Sequence, residues 1–273
     1  MAFMGAYLFT GDNIFTYIYI LENLVTKILN KHVCILGCGR SGTSIFGEFF
    51  DHLAHYTYYS EPLFSTLETI DYSTPVAIKV PTQDNEDDFF DGLSFNLQKF
   101  LQIFPHDHVL FWQVRHPLDA ISSLRIGIEN NWGHHPRPHD WKDRLSKPLL
   151  EKCAYHWNFI NTNGYEQVKD RVVINTFEEM VLHPLDTAQK ICDLTGIDFS
   201  QNEASIMAWV NRIQDENNEK FVEAECSRPY SRKDHTKKVG RWEENLSQDD
   251  IAGILPFIGK GTENFGYELP EPN

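Results

Sequence analysis

Apolar positions along the chain follow two periods, one of a buried strand and one of an amphipathic helix. Val33-Cys34-Ile35-Leu36 is a short continuous apolar run closed by a glycine-rich turn. Val76-Ala77-Ile78-Lys79-Val80 ends at Pro81, His108 to Val114 ends at Arg115-His116-Pro117, and Arg171 to Asn175 is a fourth such run. These lengths and boundaries predict strands. Between them the spacing becomes helical. Thr43 to Leu53 places Ile45, Phe46, Phe49, Phe50 and Leu53 on one stripe. Leu93 to Ile103 reads as a helix, and Pro117 suits a first helical position in another running to about Arg125. Pro148 to Gly164, Phe177 to Leu182, Pro184 to Leu194, Ala204 to Gln214 and Gln248 to Phe257 complete the helices. Strands alternating with helices predict an α/β fold, a mostly parallel β-sheet flanked by helices. No linker divides the chain, so residues 1–273 are expected to form a single domain. Residues 1–30 are its N-terminal helical extension, with a helix from about Ile14 to Leu29. Residues 127–147, rich in His, Pro, Trp and charge, form a lid or acceptor loop.

Composition narrows the partners. The 273 residues carry a formal net charge of −15, which repels polyanions and argues against nucleic acid as a bulk partner. An anionic ligand then needs a local reversal of charge. Arg228, Arg232, Lys233, Lys237, Lys238 and Arg241, with His235 among them, supply one. Cys34, Cys38, Cys153, Cys192 and Cys226 are odd in number and match no zinc spacing, so reduced thiols and a cytoplasmic location are expected. The apolar run Ile14 to Leu21 is far shorter than the about 20 residues a bilayer span needs, so no transmembrane span is expected. The N-terminus also lacks the basic start and cleavage site of a signal peptide.

Gly37-Cys38-Gly39-Arg40-Ser41-Gly42-Thr43-Ser44 follows the first strand and opens the first amphipathic helix. Glycines let backbone N–H groups turn toward a phosphate, and the helix start adds its positive end. Thr43 and Ser44 add hydroxyls. The spacing is that of a P-loop, but Thr43 stands where a nucleoside triphosphatase has the lysine that meets the β/γ-phosphates. Arg40 puts a cation inside the loop instead.

A loop of the form Gly-x-Arg-Ser-Gly-Thr-Ser resembles that of the sulfotransferase family, and the resemblance continues downstream. Arg115-His116-Pro117-Leu118-Asp119-Ala120-Ile121-Ser122-Ser123 is similar to the family's second signature, an arginine at a strand end followed by a serine on the next helix. Cys153 to Asn158, Val172 to Met180 with His183-Pro184, and Val239 to Ser247 with its Gly-x-Trp also resemble family segments, so the likeness runs from about Lys31 to Ser247. It departs at Phe177, where a tyrosine is usual, and the family's arginine-lysine-glycine run before the Gly-x-Trp is missing.

The resemblance implies a P-loop NTPase-like sulfotransferase fold. It also implies 3′-phosphoadenosine 5′-phosphosulfate (PAPS) as co-substrate, with no metal. Gly39, Arg40, Ser41, Gly42, Thr43 and Ser44 would then hold the 5′ end of the donor, and Arg115 and Ser123 its 3′-phosphate. Residues 228–247 would form a nucleotide-closing loop, in which Lys238, Gly240 and Arg241 are candidate contacts; which of Lys237, Lys238 and Arg241 touches phosphate stays open. The acceptor would be a hydroxyl on a small molecule or carbohydrate. Glu61, before Pro62, resembles the carboxylate base of carbohydrate and bacterial members. Lys79 resembles a lysine-x-proline segment beside the active site, and with Arg40 it completes the catalytic candidates. His55, His134, His135 and His139 compete as bases, as in the family's cytosolic branch. Trp132, His134, His135 and Trp141 are candidates for the acceptor pocket. Two other readings remain: a P-loop nucleotide kinase or hydrolase, which needs Mg²⁺ and ATP, and a nucleotide-binding module without catalysis.

Overall fold

The computed structural model describes residues 30–85, 90–129, 131–216, 230 and 236–271. The expected helix over 14–29 lies outside them, as do Arg228, Arg232, Lys233, His235 and Cys226.

Five parallel strands form one sheet in the order β2-β3-β1-β4-β5: β1 His32–Gly37, β2 Thr57–Ser60, β3 Val76–Lys79, β4 His108–Val114 and β5 Val172–Thr176. The continuous apolar runs follow from burial on both faces. In β1, Val33 and Ile35 face one core with Phe46, Phe49, Phe50, Phe111 and Trp209. Cys34 and Leu36 face the other, with Trp112, Phe100, Leu124 and Trp157. Cys34, Cys38, Cys153 and Cys192 are free and buried.

Helix α1 (Thr43–Asp51) packs with α8 (Glu203–Gln214) on the first face. Phe49 and Trp209 meet edge to face at 5.2 Å, and the Trp209 indole N–H donates to Ile45 O at 2.8 Å. The polar handle of a buried tryptophan is thereby satisfied. The second face carries α2 (Leu97–Ile103), α3 (Pro117–Glu129) and α4 (Leu149–Phe159).

The structure differs from the sequence expectation at identifiable places. β2 was not expected: Thr-Tyr-Tyr-Ser is polar, because an edge strand is only partly covered. Helix α2 starts at Leu97 rather than Leu93, where the Asn96 side chain accepts from the Lys99 N–H and caps it. Helix α3 runs to Glu129, into the stretch expected to be lid. The helix expected over Pro148 to Gly164 passes into a π-turn at Ile160–Gly164 and then α5 (Tyr165–Val168). There Gly164 touches the Gly92 backbone so closely that a Cβ would fall 2.2 Å from Gly92 O. Helices α6 (Phe177–Leu182) and α7 (Pro184–Thr195) fall close to expectation, divided at His183. Beyond them come α9 (Trp242–Asn245), α10 (Gln248–Ile254), a 3₁₀ turn Leu255–Phe257 and α11 (Gly259–Phe265).

At the end of β1, Gly37 has φ 143°, and a Cβ there would lie 2.2 Å from the Gln113 carbonyl oxygen of β4. Gly37→Ala is expected to lower unfolding stability by roughly 2 kcal/mol or more, measured by urea denaturation. Gly253→Ala, inside α10 with nothing within 4 Å of the added methyl, is expected to be neutral or to stabilise by up to about 1 kcal/mol.

Candidate active site

The loops that leave the carboxyl ends of a parallel sheet meet on one edge, which is where open α/β folds bind ligands. Here β1 delivers the glycine loop, β2 delivers Glu61, β3 ends in Lys79 and β4 is followed by Arg115. The loop is pinned from below. Gln113, fully buried in β4, donates its amide to Ser41 O at 3.0 Å, and its own oxygen accepts from Asn175 of β5 at 2.6 Å. Arg40 (φ 67°) and Gly42 (φ 91°) take left-handed backbone in the loop. At Gly42 a Cβ would come 2.5 Å from the Phe177 ring, so α6 packs directly on the turn. Gln113 and Asn175 were not singled out as functional from sequence; their signal is a polar side chain inside an otherwise apolar strand.

Three of the expected phosphate contacts come together. Arg40 Nε donates to Ser123 Oγ on α3 at 2.9 Å, and Arg115 Nη1 reaches Arg40 O at 3.4 Å. Arg115 is buried, with its guanidinium over the Phe177 ring at 4.4 Å. Its Nη2 is a loose 3.6 Å from Asp119. Among the described residues, neither Arg115 Nε nor Ser41 Oγ has a hydrogen-bond partner. Buried polar groups are normally paired, so two orphaned donors on one rim of the loop fit an anion.

The second constellation joins Lys79, Ser44 and Glu61. Lys79, almost fully buried, donates to Ser44 Oγ at 3.0 Å and to Glu61 Oε1 at 2.7 Å. An ammonium thus reaches Ser44, next to Thr43, from the neighbouring strand. Glu61 keeps 57% of its side chain exposed. Its backbone has φ 54° and that of Val80 has φ 39°. Both are held by hydrogen bonds, Glu61 N to Lys79 O and Val80 N to Ile35 O, each at 2.8 Å.

The three histidines His134, His135 and His139 divide. His134 packs between the glycine loop and α3: Cβ atoms added at Gly39 and Gly127 would lie 3.2 and 2.1 Å from its ring. It stacks on His156 at 6.0 Å. Burial, then the charge of Arg40, pushes its pKa down to about 4, with Glu61 opposing. The imidazole is therefore neutral at pH 7. His135 lies half-buried beside it and His139 is exposed. Trp132, a candidate for the acceptor pocket, has no exposed surface; its indole donates to His156 Nδ1 at 3.1 Å. Trp141 is nearly buried, with Arg137 4.5 Å from its ring. His55 meets Tyr56 edge to face, and the Tyr56 hydroxyl donates to Lys31 O at 2.7 Å. That is the amino edge of the sheet, so His55 lies away from the loop and drops out as a base.

Of the basic segment, Lys237, Lys238 and Arg241 lie among the described residues. Lys238 caps α8, donating to Ile213 O at 2.7 Å and Asp215 O at 3.1 Å. This places its ammonium on helix carbonyls rather than on the glycine loop. Arg241 Nε donates to Lys237 O at 2.8 Å. Gly240 and Trp242 dock on α3 through their backbone: their N–H groups donate to Asp119 Oδ2 at 2.9 Å and Oδ1 at 2.8 Å. The Trp242 ring stacks on His116 at 5.9 Å. Asp119 was read only as part of a motif; its buried position in the first turn of α3 is what reveals its contacts.

Among the described residues no helix is long and apolar enough to cross a membrane, and no three metal-binding side chains come together. No protein-family model and no curated protein matches the sequence. Solved structures do. Mouse sulfotransferase SULT7A1, crystallised in complex with PAP, matches at a TM-score of 0.55 and 17% identity, over 86% of this chain and 85% of that one. Sulfotransferase STF9 from Mycobacterium avium matches at a TM-score of 0.51 and 12% identity, over 94% of this chain and 82% of that one. The chain has the sulfotransferase fold.

The depressed pKa of His134 sets a pH dependence. From its ordinary 6.5 down to about 4, the unfolded chain binds a proton at this ring that the folded chain does not. Stability from this group is present above pH 6.5 and falls as pH drops toward 4, by up to about 3 kcal/mol. Urea midpoints between pH 7 and 4 are expected to fall less in His134→Gln than in the unsubstituted chain.

Proposed function

We propose that this chain is a sulfotransferase, moving a sulfuryl group from 3′-phosphoadenosine 5′-phosphosulfate to a hydroxyl of a small-molecule or carbohydrate acceptor. One observation carries the reading: Arg40, Arg115 and Ser123, from three separate elements, converge on the glycine loop where Ser41 Oγ and Arg115 Nε are unpaired. Two anionic groups on one adenosine match that layout, with the loop taking the 5′ end and Arg115 with Ser123 the 3′-phosphate. The bound PAP of the mouse structure supports the choice of donor.

The donor supplies an activated sulfuryl group, and the chain supplies position and charge. Glu61 accepts the acceptor's hydroxyl proton as the new O–S bond forms. Its carboxylate is half in solvent, where an acceptor can reach it. Lys79 fixes one oxygen of Glu61 and also the Ser44 hydroxyl, so the base and the loop keep a constant separation. Arg40 stands where negative charge develops on the phosphate oxygen as the old O–S bond breaks. His134 is held neutral beside Arg40 and Glu61 by its burial. Its ring suits hydrogen bonding to an acceptor.

Calorimetric titration is expected to show binding of 3′-phosphoadenosine 5′-phosphate without added metal, and weaker binding of ATP with Mg²⁺; the reverse order favours a kinase or hydrolase. Glu61→Gln is expected to keep the affinity for 3′-phosphoadenosine 5′-phosphate within about threefold and to lose roughly 100-fold or more in turnover. Labelled-donor assays over a panel of acceptors read this directly, and unchanged turnover would remove Glu61 as the base.

A further inference from the structure

Asp119 sits in the first turn of α3, four residues beyond Arg115, and its side chain is fully buried. A buried aspartate beside an arginine can close a short, bidentate ion pair with it. Here it does not. The shortest approach is 3.6 Å, while both carboxylate oxygens accept from the backbone of a distant segment, Oδ2 from Gly240 N–H at 2.9 Å and Oδ1 from Trp242 N–H at 2.8 Å. Among the described residues Arg115 Nε has no hydrogen-bond partner, and Nη1 reaches Arg40 O at 3.4 Å. The carboxylate takes its two hydrogen bonds from the segment and keeps only a long ion pair, 3.6 Å, with the arginine.

We infer that Asp119 is a positioning residue that couples docking of the Gly240–Trp242 segment to recognition of the 3′-phosphate by Arg115, an inference that rests on the donor reading above. With the segment in place, two amide dipoles offset the charge of Asp119 and Arg115 is left for the ligand. With the segment lifted, a buried carboxylate without donors turns to the nearest cation, which is Arg115, and repels an incoming phosphate. Such coupling is reciprocal: a phosphate that occupies Arg115 holds the segment down. The indole of Trp242, stacked on His116 next to Arg115, moves with the segment and reports on it.

The test compares two probes that differ only in the 3′-phosphate, 3′-phosphoadenosine 5′-phosphate and adenosine 5′-phosphate, on the full chain and on Asp119→Asn. An asparagine offers one oxygen to the two amides and turns an NH₂ toward the other, so the segment cannot dock. The expected result is at least a tenfold loss of affinity for 3′-phosphoadenosine 5′-phosphate and less than a twofold change for adenosine 5′-phosphate. The retained binding of the second probe shows that the variant is folded. Equal losses for both probes, no loss, or tighter binding of 3′-phosphoadenosine 5′-phosphate would each overturn the inference. Should the variant not fold, amide hydrogen exchange of the unsubstituted chain decides. The Gly240 and Trp242 amides are expected to slow with 3′-phosphoadenosine 5′-phosphate and not with adenosine 5′-phosphate; equal behaviour with both rejects the coupling. If the unsubstituted chain does not bind 3′-phosphoadenosine 5′-phosphate at all, the donor reading fails, and the inference with it.

Discussion

Gln113 places a neutral amide in the middle of an apolar sheet, and the shape of the glycine loop depends on it. Its N–H holds Ser41 O and its oxygen is held by Asn175, so the turn after β1 is tied through β4 to β5. A buried amide chain of this kind is stabilising only when every member is paired. The two strands therefore cannot slip relative to the loop without leaving a polar group bare. Gly37 enforces the same register sterically, since the Gln113 carbonyl occupies the space of its missing side chain. The glycine loop is built on this fixed base.

Charge is distributed to match. A chain with a net charge of −15 gathers Arg40, Arg115 and Lys79 on one edge of its sheet and buries two of the three. Each buried cation has a local counter-group that does not use it up. Lys79 divides itself between Ser44 and Glu61. Arg115 leans on the Phe177 ring and stands off from Asp119. A guanidinium on an aromatic face keeps its in-plane donors available.

Much of this was legible in the sequence because it depends on local pattern. The strands of the sheet centre announce themselves as apolar runs, and the loop by its glycines. What escaped was non-local or marginal. Strand β2 has four polar or aromatic residues at an edge and no period to betray it. Trp132 looked like a pocket residue because its neighbours are polar, yet its indole turns inward to His156. Lys238 was read with its basic neighbours, but the open carbonyls at the end of α8 take it. The Asp119–Gly240 contact spans 121 positions of chain, which no window of sequence contains.

The backbone at Glu61 and Val80 carries a further meaning. Both lie in left-handed space that side-chain-bearing residues avoid, and for a β-branched valine it is a pronounced outlier. Each such residue costs of the order of 1–3 kcal/mol, which the rest of the fold must offset. In exchange, the Glu61 carboxylate leaves a rigid corner instead of a supple loop. Tolerance to damage elsewhere is correspondingly narrower: a chain shaped for robustness alone would carry glycine at both corners, and would have lost the carboxylate in doing so.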